Sequence, residues 1–277
     1  MDTFPEPESD QPDSGYGAQH RSDSWWHDWR LKVAIQTMLS AVPGGVRLNY
    51  LLQRHVTRTL PISDAELAVQ VAKAQRNLQA FARFQPQPLP DHIFEFGVGW
   101  DLLIPIVHYC MGVERQTVID LQPLARRDLV LDIAQRLSRS AERFSLKRVP
   151  AIGDGRQTVE GIAMEWGIEY RAPADARHVD LPDRSVDLVT STDVLEHVPV
   201  DDIRSIFAES KRILRDDGLM RIRIDYQDHY WYFDRRVPRT DSCGSRRPNG
   251  VGTTHHSTTR IGFATRNCST SSEMVAS

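Results

Sequence analysis

The sequence predicts an α/β fold, a doubly wound and mostly parallel sheet preceded by a helical cap. Three observations predict it. From residue 90 onward, short apolar runs that end in glycine or an acid (HIFEFGVG, TVIDL) alternate with segments of helical period, and β and α units of that length build parallel sheets. Residues 24–84 carry helical periodicity with no strand pattern. Residues 237–277 are rich in Ser and Thr and hold no Leu, Lys, Gln, Tyr or Trp, so the apolar pattern stops there.

Each element has its own justification. Residues 1–23 are mostly polar with Pro and Gly; they bury too little surface to offset ordering entropy and are expected to be a disordered leader. Over residues 24–39, Trp25, Trp26, Trp29, Val33, Ile35 and Leu39 stand near helical spacing. This predicts an amphipathic lid helix packed on the domain, with attachment to a membrane surface as the alternative. A second helix is expected over residues 48–58. Ser63 and Glu66 then stand at capping-box spacing, and Leu67, Val71, Leu78 and Phe81 give a third helix one apolar stripe as far as Phe84, before the QPQPLP break. Residues 24–84 are thus read as the cap.

The domain over residues 90–234 starts with the strand HIFEF and its glycine turn, followed by a helix over 101–113 in which Pro105 is early enough to be tolerated. The strand TVIDL and a helix over 125–144 come next. Further strands are expected over 168–170, 186–190 and 219–224, with a helix over 201–214 before the last. The tail over 237–277 is expected to be disordered, leaving the sheet without its final strands. A shifted reading frame over 249–268 permits an aromatic- and aliphatic-rich string, so this tail is also a candidate frameshift that the nucleotide sequence tests.

Composition restricts the partners. The formal charge of −3 argues against a strongly basic surface, a local patch aside, and no nucleic acid is expected as a partner. Cys110, Cys243 and Cys268 are scattered, without the spacing of a metal site, which fits a reducing, cytoplasmic setting. No run reaches the roughly 18 apolar residues that span a bilayer, and the start lacks the pattern of a secretory signal.

The chemistry concentrates at strand ends. Glu95, Phe96, Gly97 and Gly99 close the first strand, where glycines let the backbone approach a ligand. Asp120, 21 residues past Gly99, ends the second strand, where an acid can accept both hydroxyls of a ribose. The pair points to an adenosine-containing cofactor. A dinucleotide site wants a small residue where Leu102 stands, and Glu95 repels a pyrophosphate but welcomes a cationic amino-acid group. Trp100 either shields the cofactor or packs on the cap.

In these residues the chain resembles the class I methyltransferases, particularly their broad small-molecule branch, over residues 92–218. The EFGVGWD loop is similar to the family's glycine loop, with Asp101 where a third glycine is common. DARHVDLPDRSVDLVTSTDVLEHV is similar to its run from the adenine-binding acid to the fourth strand. The resemblance implies a Rossmann-like sheet that normally ends in two more strands, and S-adenosyl-L-methionine as cofactor. By that match the cofactor residues are Glu95, Phe96, Gly97, Gly99, Trp100, Asp120, Leu121, Asp175, Ala176 and Thr192, with Asp175 accepting from the adenine amino group and Thr192 facing the methionine end. Methyl transfer to an amine needs little beyond positioning, whereas a hydroxyl acceptor wants a base. His197, after the fourth strand, is the first candidate and His229 the second; a purely structural role is the alternative for each. The expected function is methyl transfer to a small-molecule acceptor, impaired if the tail is aberrant. A non-catalytic cofactor-binding module and, less favoured, an NAD-dependent oxidoreductase are the other readings.

Overall fold

The computed structural model describes residues 45–153 and 157–225, together with the backbone of residues 272–276. The leader over 1–23, the helix expected over 24–39, the stretch 249–268 and His229 lie outside the described residues.

The described cap begins with α1 (Gly45–Leu51), which runs into one π-helical turn (Leu52–Val56) and then, after a loop, into α2 (Asp64–Phe84). The Ser63 hydroxyl accepts from the Glu66 amide at 3.1 Å, satisfying one of the free N–H groups of the first turn of α2. The Glu66 carboxylate accepts instead from Gln70, at 2.7 Å, so only half of the capping box forms. Leu67, Val71, Ala74, Leu78 and Phe81 are the buried stripe of α2.

Five parallel strands follow: β1 (Ile93–Phe96), β2 (Gln116–Ile119), β3 (Ile168–Arg171), β4 (Val186–Thr192) and β5 (Leu214–Ile224). Their helices are α3 (Leu103–Cys110), α4 (Arg127–Arg139), α5 (Val159–Glu165) and α6 (Val200–Ile213). A further strand, β6 (Ser272–Ala276), runs antiparallel to β5, and the sheet order is β3-β2-β1-β4-β5-β6. The chain moves outward from β1 through β2 to β3, then returns to lay β4 against the other edge of β1. That reversal opens a crevice at the carboxyl ends of β1 and β4, where ligands bind in open α/β sheets.

Side-chain alternation sends the strands' two faces into separate layers. Phe94, Phe96, Val189, Ile206, Ile213 and Ile222 pack together on one side. On the other, Val118, Ile168 and Tyr170 pack under residues of α2, α3, α4 and α5. Glu95 alternates with the two phenylalanines, so its side chain enters the second layer, beside α3.

Four departures from the sequence expectation have an identifiable cause. Helix α4 is shorter than 125–144, because Arg126 is extended and its amide donates to the Trp100 carbonyl at 2.8 Å, a tertiary tie that periodicity does not show. Helix α5 was not anticipated; it is seven residues long with Gly161 inside, and its one local signal is the Thr158 hydroxyl that accepts from the Gly161 amide. Strand β5 starts at Leu214, five residues before the expected 219, through pairing with Val186 across an irregular register. Strand β6 corrects the reading of residues 237–277 as strandless. Its ladder with β5, from Met220↔Ala276 to Ile224↔Ser272, uses backbone groups that an open edge leaves unpaired and demands little of the side chains beyond the absence of proline. Among the described residues, no helix is long and apolar enough to cross a membrane.

Candidate functional site

The bend after β1 is built by Gly97 and Gly99, at φ +78° and +70°. At Gly97 a side chain is excluded twice over, because a Cβ there would lie 2.3 Å from a Val194 methyl as well as in the left-handed region. The Gly99 amide donates to Asp120 Oδ2 at 3.1 Å, and the Gln122 amide donates to Oδ1 at 3.3 Å. Asp120 therefore ties the end of β2 to the glycine bend. Burial raises its carboxyl above the ordinary range, opposed by these backbone donors. The Asp120 carbonyl also accepts from the Ala174 amide at 2.9 Å, which brings the Asp175 and Ala176 segment alongside.

A cavity of about 230 Å³ lies at the switch point, lined by Glu95, Gly97, Gly99, Trp100, Asp101, Thr192 and Asp193 and walled by apolar groups that include Leu60, Ile62 and Ile104. The Glu95 carboxyl is 1 % exposed and is pushed up to about 8 by burial, partly offset by Thr190, which faces it in register on β4. Asp101 accepts from the Leu103 amide at 3.1 Å, starting α3, and burial pushes its carboxyl up to about 6. Trp100 stands between the cavity and the cap. It lines the cavity, and its ring lies 5.6 Å from that of Tyr50 on α1. Tyr50 donates to Asp128 at 2.8 Å and Arg54 pairs with the same carboxylate, so the cap is fastened to α4 beside the glycine bend.

The structure brings Glu95, Gly97, Gly99, Trp100 and Thr192 to one cavity, with Asp120 bonded to its rim. Other expected residues are placed differently. The Phe96 ring belongs to the opposite core layer and its carbonyl accepts from Ser191 at 3.1 Å, because the alternation of β1 turns it away from Glu95. Leu121 is 66 % exposed next to Asp120. The Asp175 carboxylate is clasped by Arg177, which holds its carboxyl below the ordinary range, and Arg177 also pairs with Asp202 of α6. Ala176 packs against the core beneath β4. His197 ends a single 3-10 turn (Leu195–His197), is exposed, and is not among the residues lining the cavity.

Sequence reading missed two groups. Asp193, left-handed at φ 58°, lines the cavity and accepts from Lys73 of α2 at 2.8 Å while pairing with Arg223 of β5. Lys73 is 120 residues away in sequence, and it sits beside the apolar stripe of α2, so periodicity alone does not mark it as buried. Glu196, next to His197, has its carboxyl pushed up to about 7 by burial, with the Asp193 and Asp225 carboxylates adding to the rise.

Residues 152–222, from the approach to α5 through most of β5, match the family described as Methyltransferase domain. No curated protein matches the chain. Among solved structures, the PH0226 protein of Pyrococcus horikoshii OT3 is similar at 13% identity and a TM-score of 0.38, covering 63% of this chain and 65% of that one. Phosphoethanolamine N-methyltransferase 1 of Haemonchus contortus, solved with phosphoethanolamine and S-adenosylhomocysteine, is similar at 13% identity and a TM-score of 0.40, covering 71% of this chain and 33% of that one. An S-adenosylmethionine-dependent methyltransferase of Mesorhizobium loti is similar at 20% identity and a TM-score of 0.32, covering 53% of each chain. The chain thus spans between a third and two thirds of the length of these proteins. The match to the methyltransferase-domain family runs from α5 to β5, on the parallel sheet whose switch point carries the Gly97 and Gly99 bend.

Proposed function

We propose that the chain transfers a methyl group from S-adenosylmethionine to a small-molecule acceptor, with the chemistry in residues 90–234 and the cap over 24–84 covering the site. The observation that carries this reading is the Asp120 carboxylate bonded to the Gly99 amide at the rim of the switch-point cavity. It joins an acid suited to a ribose with a bend that admits a ligand close to the backbone. Glu95 Oε2, buried with no hydrogen-bond partner among the described residues, supplies the fit for the cationic amino-acid end.

When bound, the cofactor supplies a methyl carbon already activated by a sulfonium. The residues of this chain hold, orient and exclude water. Glu95 and Thr192 would face the methionine end, Asp120 the ribose, and Leu121 with the Asp175 and Ala176 segment the adenine. Leu60 and Ile62, from the loop ahead of α2, close the cavity with apolar surface, which keeps water from the reacting carbon. An acceptor amine needs no more than this placement. For an acceptor hydroxyl, proton removal falls to the Leu195–His197 turn after β4, where Glu196, its carboxyl pushed up to about 7 by burial, stands beside His197. An NAD site is disfavoured because Leu102 is fully buried at the start of α3, where a pyrophosphate needs close backbone approach.

Calorimetric titration of the full chain with S-adenosylmethionine, S-adenosylhomocysteine and NAD tests the reading. The first two should bind and NAD should not, and Asp120→Ala should weaken binding about tenfold or more, as expected for losing hydrogen bonds to a carboxylate. Binding of NAD alone, or unchanged affinity in a folded Asp120→Ala, overturns it. Binding without methylated product across a broad acceptor panel moves the chain to a non-catalytic cofactor-binding role.

A further inference from the structure

Behind Glu95 a polar chain crosses the protein through side chains that are all at most 2 % exposed: Arg221 of β5, Asn77 of α2, His108 of α3 and Glu95 of β1. Arg221 donates to Asn77 Oδ1. An arginine has no acceptor, so this bond fixes which way the amide points. Asn77 Nδ2 then faces His108 Nε2, 3.3 Å away, and donates to it. With Nε2 accepting, the neutral imidazole carries its proton on Nδ1. That nitrogen has no hydrogen-bond partner among the described residues, and neither has Glu95 Oε2, which lies 3.8 Å from it.

We propose that His108 is a positioning residue for cofactor binding: locked by Asn77 and Arg221 with its proton on Nδ1, it presents a donor to Glu95, which loses its own proton to solvent when the cationic end of S-adenosylmethionine enters the cavity. The inference rests on the cofactor reading above. The Glu95 O–H bond breaks, the proton leaves to buffer, and the carboxylate is held by His108 Nδ1–H on one side and by the ligand's cation on the other. Burial keeps Glu95 protonated at neutral pH without ligand, since its carboxyl is pushed up to about 8. Burial also takes His108 down to about 4, with Arg221 adding to the fall, so the ring does not keep the proton. Glu95 is faced by His108 from α3 and Thr190 from β4, and it shares the cavity wall with Asp101 and with Asp193 and its two cations; His108 is faced by Arg221, by the Gln116 side chain of β2 and by the Ala74 backbone of α2.

The test is titration calorimetry of the full chain with S-adenosylmethionine, in buffers of differing ionisation enthalpy and across pH. Relative to Glu95→Gln, the unsubstituted protein should release about one more proton per ligand at neutral pH, and its affinity should rise about tenfold per pH unit before levelling above about pH 8. His108→Phe should weaken binding about tenfold, the loss of a hydrogen bond to a charged group, and move the levelling to higher pH. The pH slope of affinity is read on the unsubstituted protein and needs no variant to fold. Binding with no extra proton released and no pH slope overturns the inference and leaves the cofactor reading standing. A folded His108→Phe with native affinity and native pH profile overturns the role of His108. No binding at any pH overturns the cofactor reading itself.

Discussion

Replacing Glu95 with Gln removes the acid and keeps the shape, and its effect on the ligand-free protein should depend on pH in a calculable way. The folded carboxyl titrates near about 8, against an ordinary value of 4.5. A raised folded value means that the protonated acid favours the fold. That contribution is fully present below about pH 4.5 and is lost progressively as pH rises through about 8. At about 1.4 kcal/mol per pH unit, the whole shift is on the order of 5 kcal/mol, and water entering the cavity reduces this to roughly 3–5 kcal/mol. The stability of Glu95→Gln minus that of the unsubstituted protein should therefore grow with pH across this window and then stay level. Urea denaturation of both proteins, free of cofactor, at pH values from about 5 to 9 measures it. A difference that stays flat across the series refutes the claim that Glu95 is held neutral by burial.

Two further outcomes follow from the same cavity. Gly97→Ala must displace Val194 and hold a left-handed alanine, so it should cost about 2–4 kcal/mol; Gly99→Ala meets nothing within 4 Å and should cost only about 1 kcal/mol of backbone strain, a difference visible as two separated melting temperatures. Asp193→Ala leaves Lys73 and Arg223, whose side chains are 9 % and 11 % exposed, without their shared acid; it should cost about 3 kcal/mol, and equal denaturation midpoints for the two proteins would show that the cluster contributes nothing.

Much of the strand and helix order is legible in the sequence, because each of these elements carries a local signal. Ser63 caps α2, apolar runs ended by Gly97 and Asp120 mark β1 and β2, and periodicity marks α6. Where local signals were weak, the reading slipped. Helix α5 has seven residues and an internal glycine, and the start of β5 and the ladder of β6 are set by partner strands. The glycine bend and its acid could be read for the same reason, since their spacing follows from one β-α-β unit. The groups placed around them could not.

Local patterns along the chain are enough for the parallel α/β architecture, the position of the switch-point bend and the acid at the end of β2. Packing across the sheet sets the Phe96 ring in the opposite core layer, leaves His197 exposed, joins Asp193 to Lys73 and Arg223, and lines up His108, Asn77 and Arg221 behind Glu95. The physical reason is range. Periodicity, capping and glycine bends act over a few residues along the chain, whereas buried polar partners such as Asn77 and Arg221, 144 residues apart, meet only after the sheet and its helices have packed.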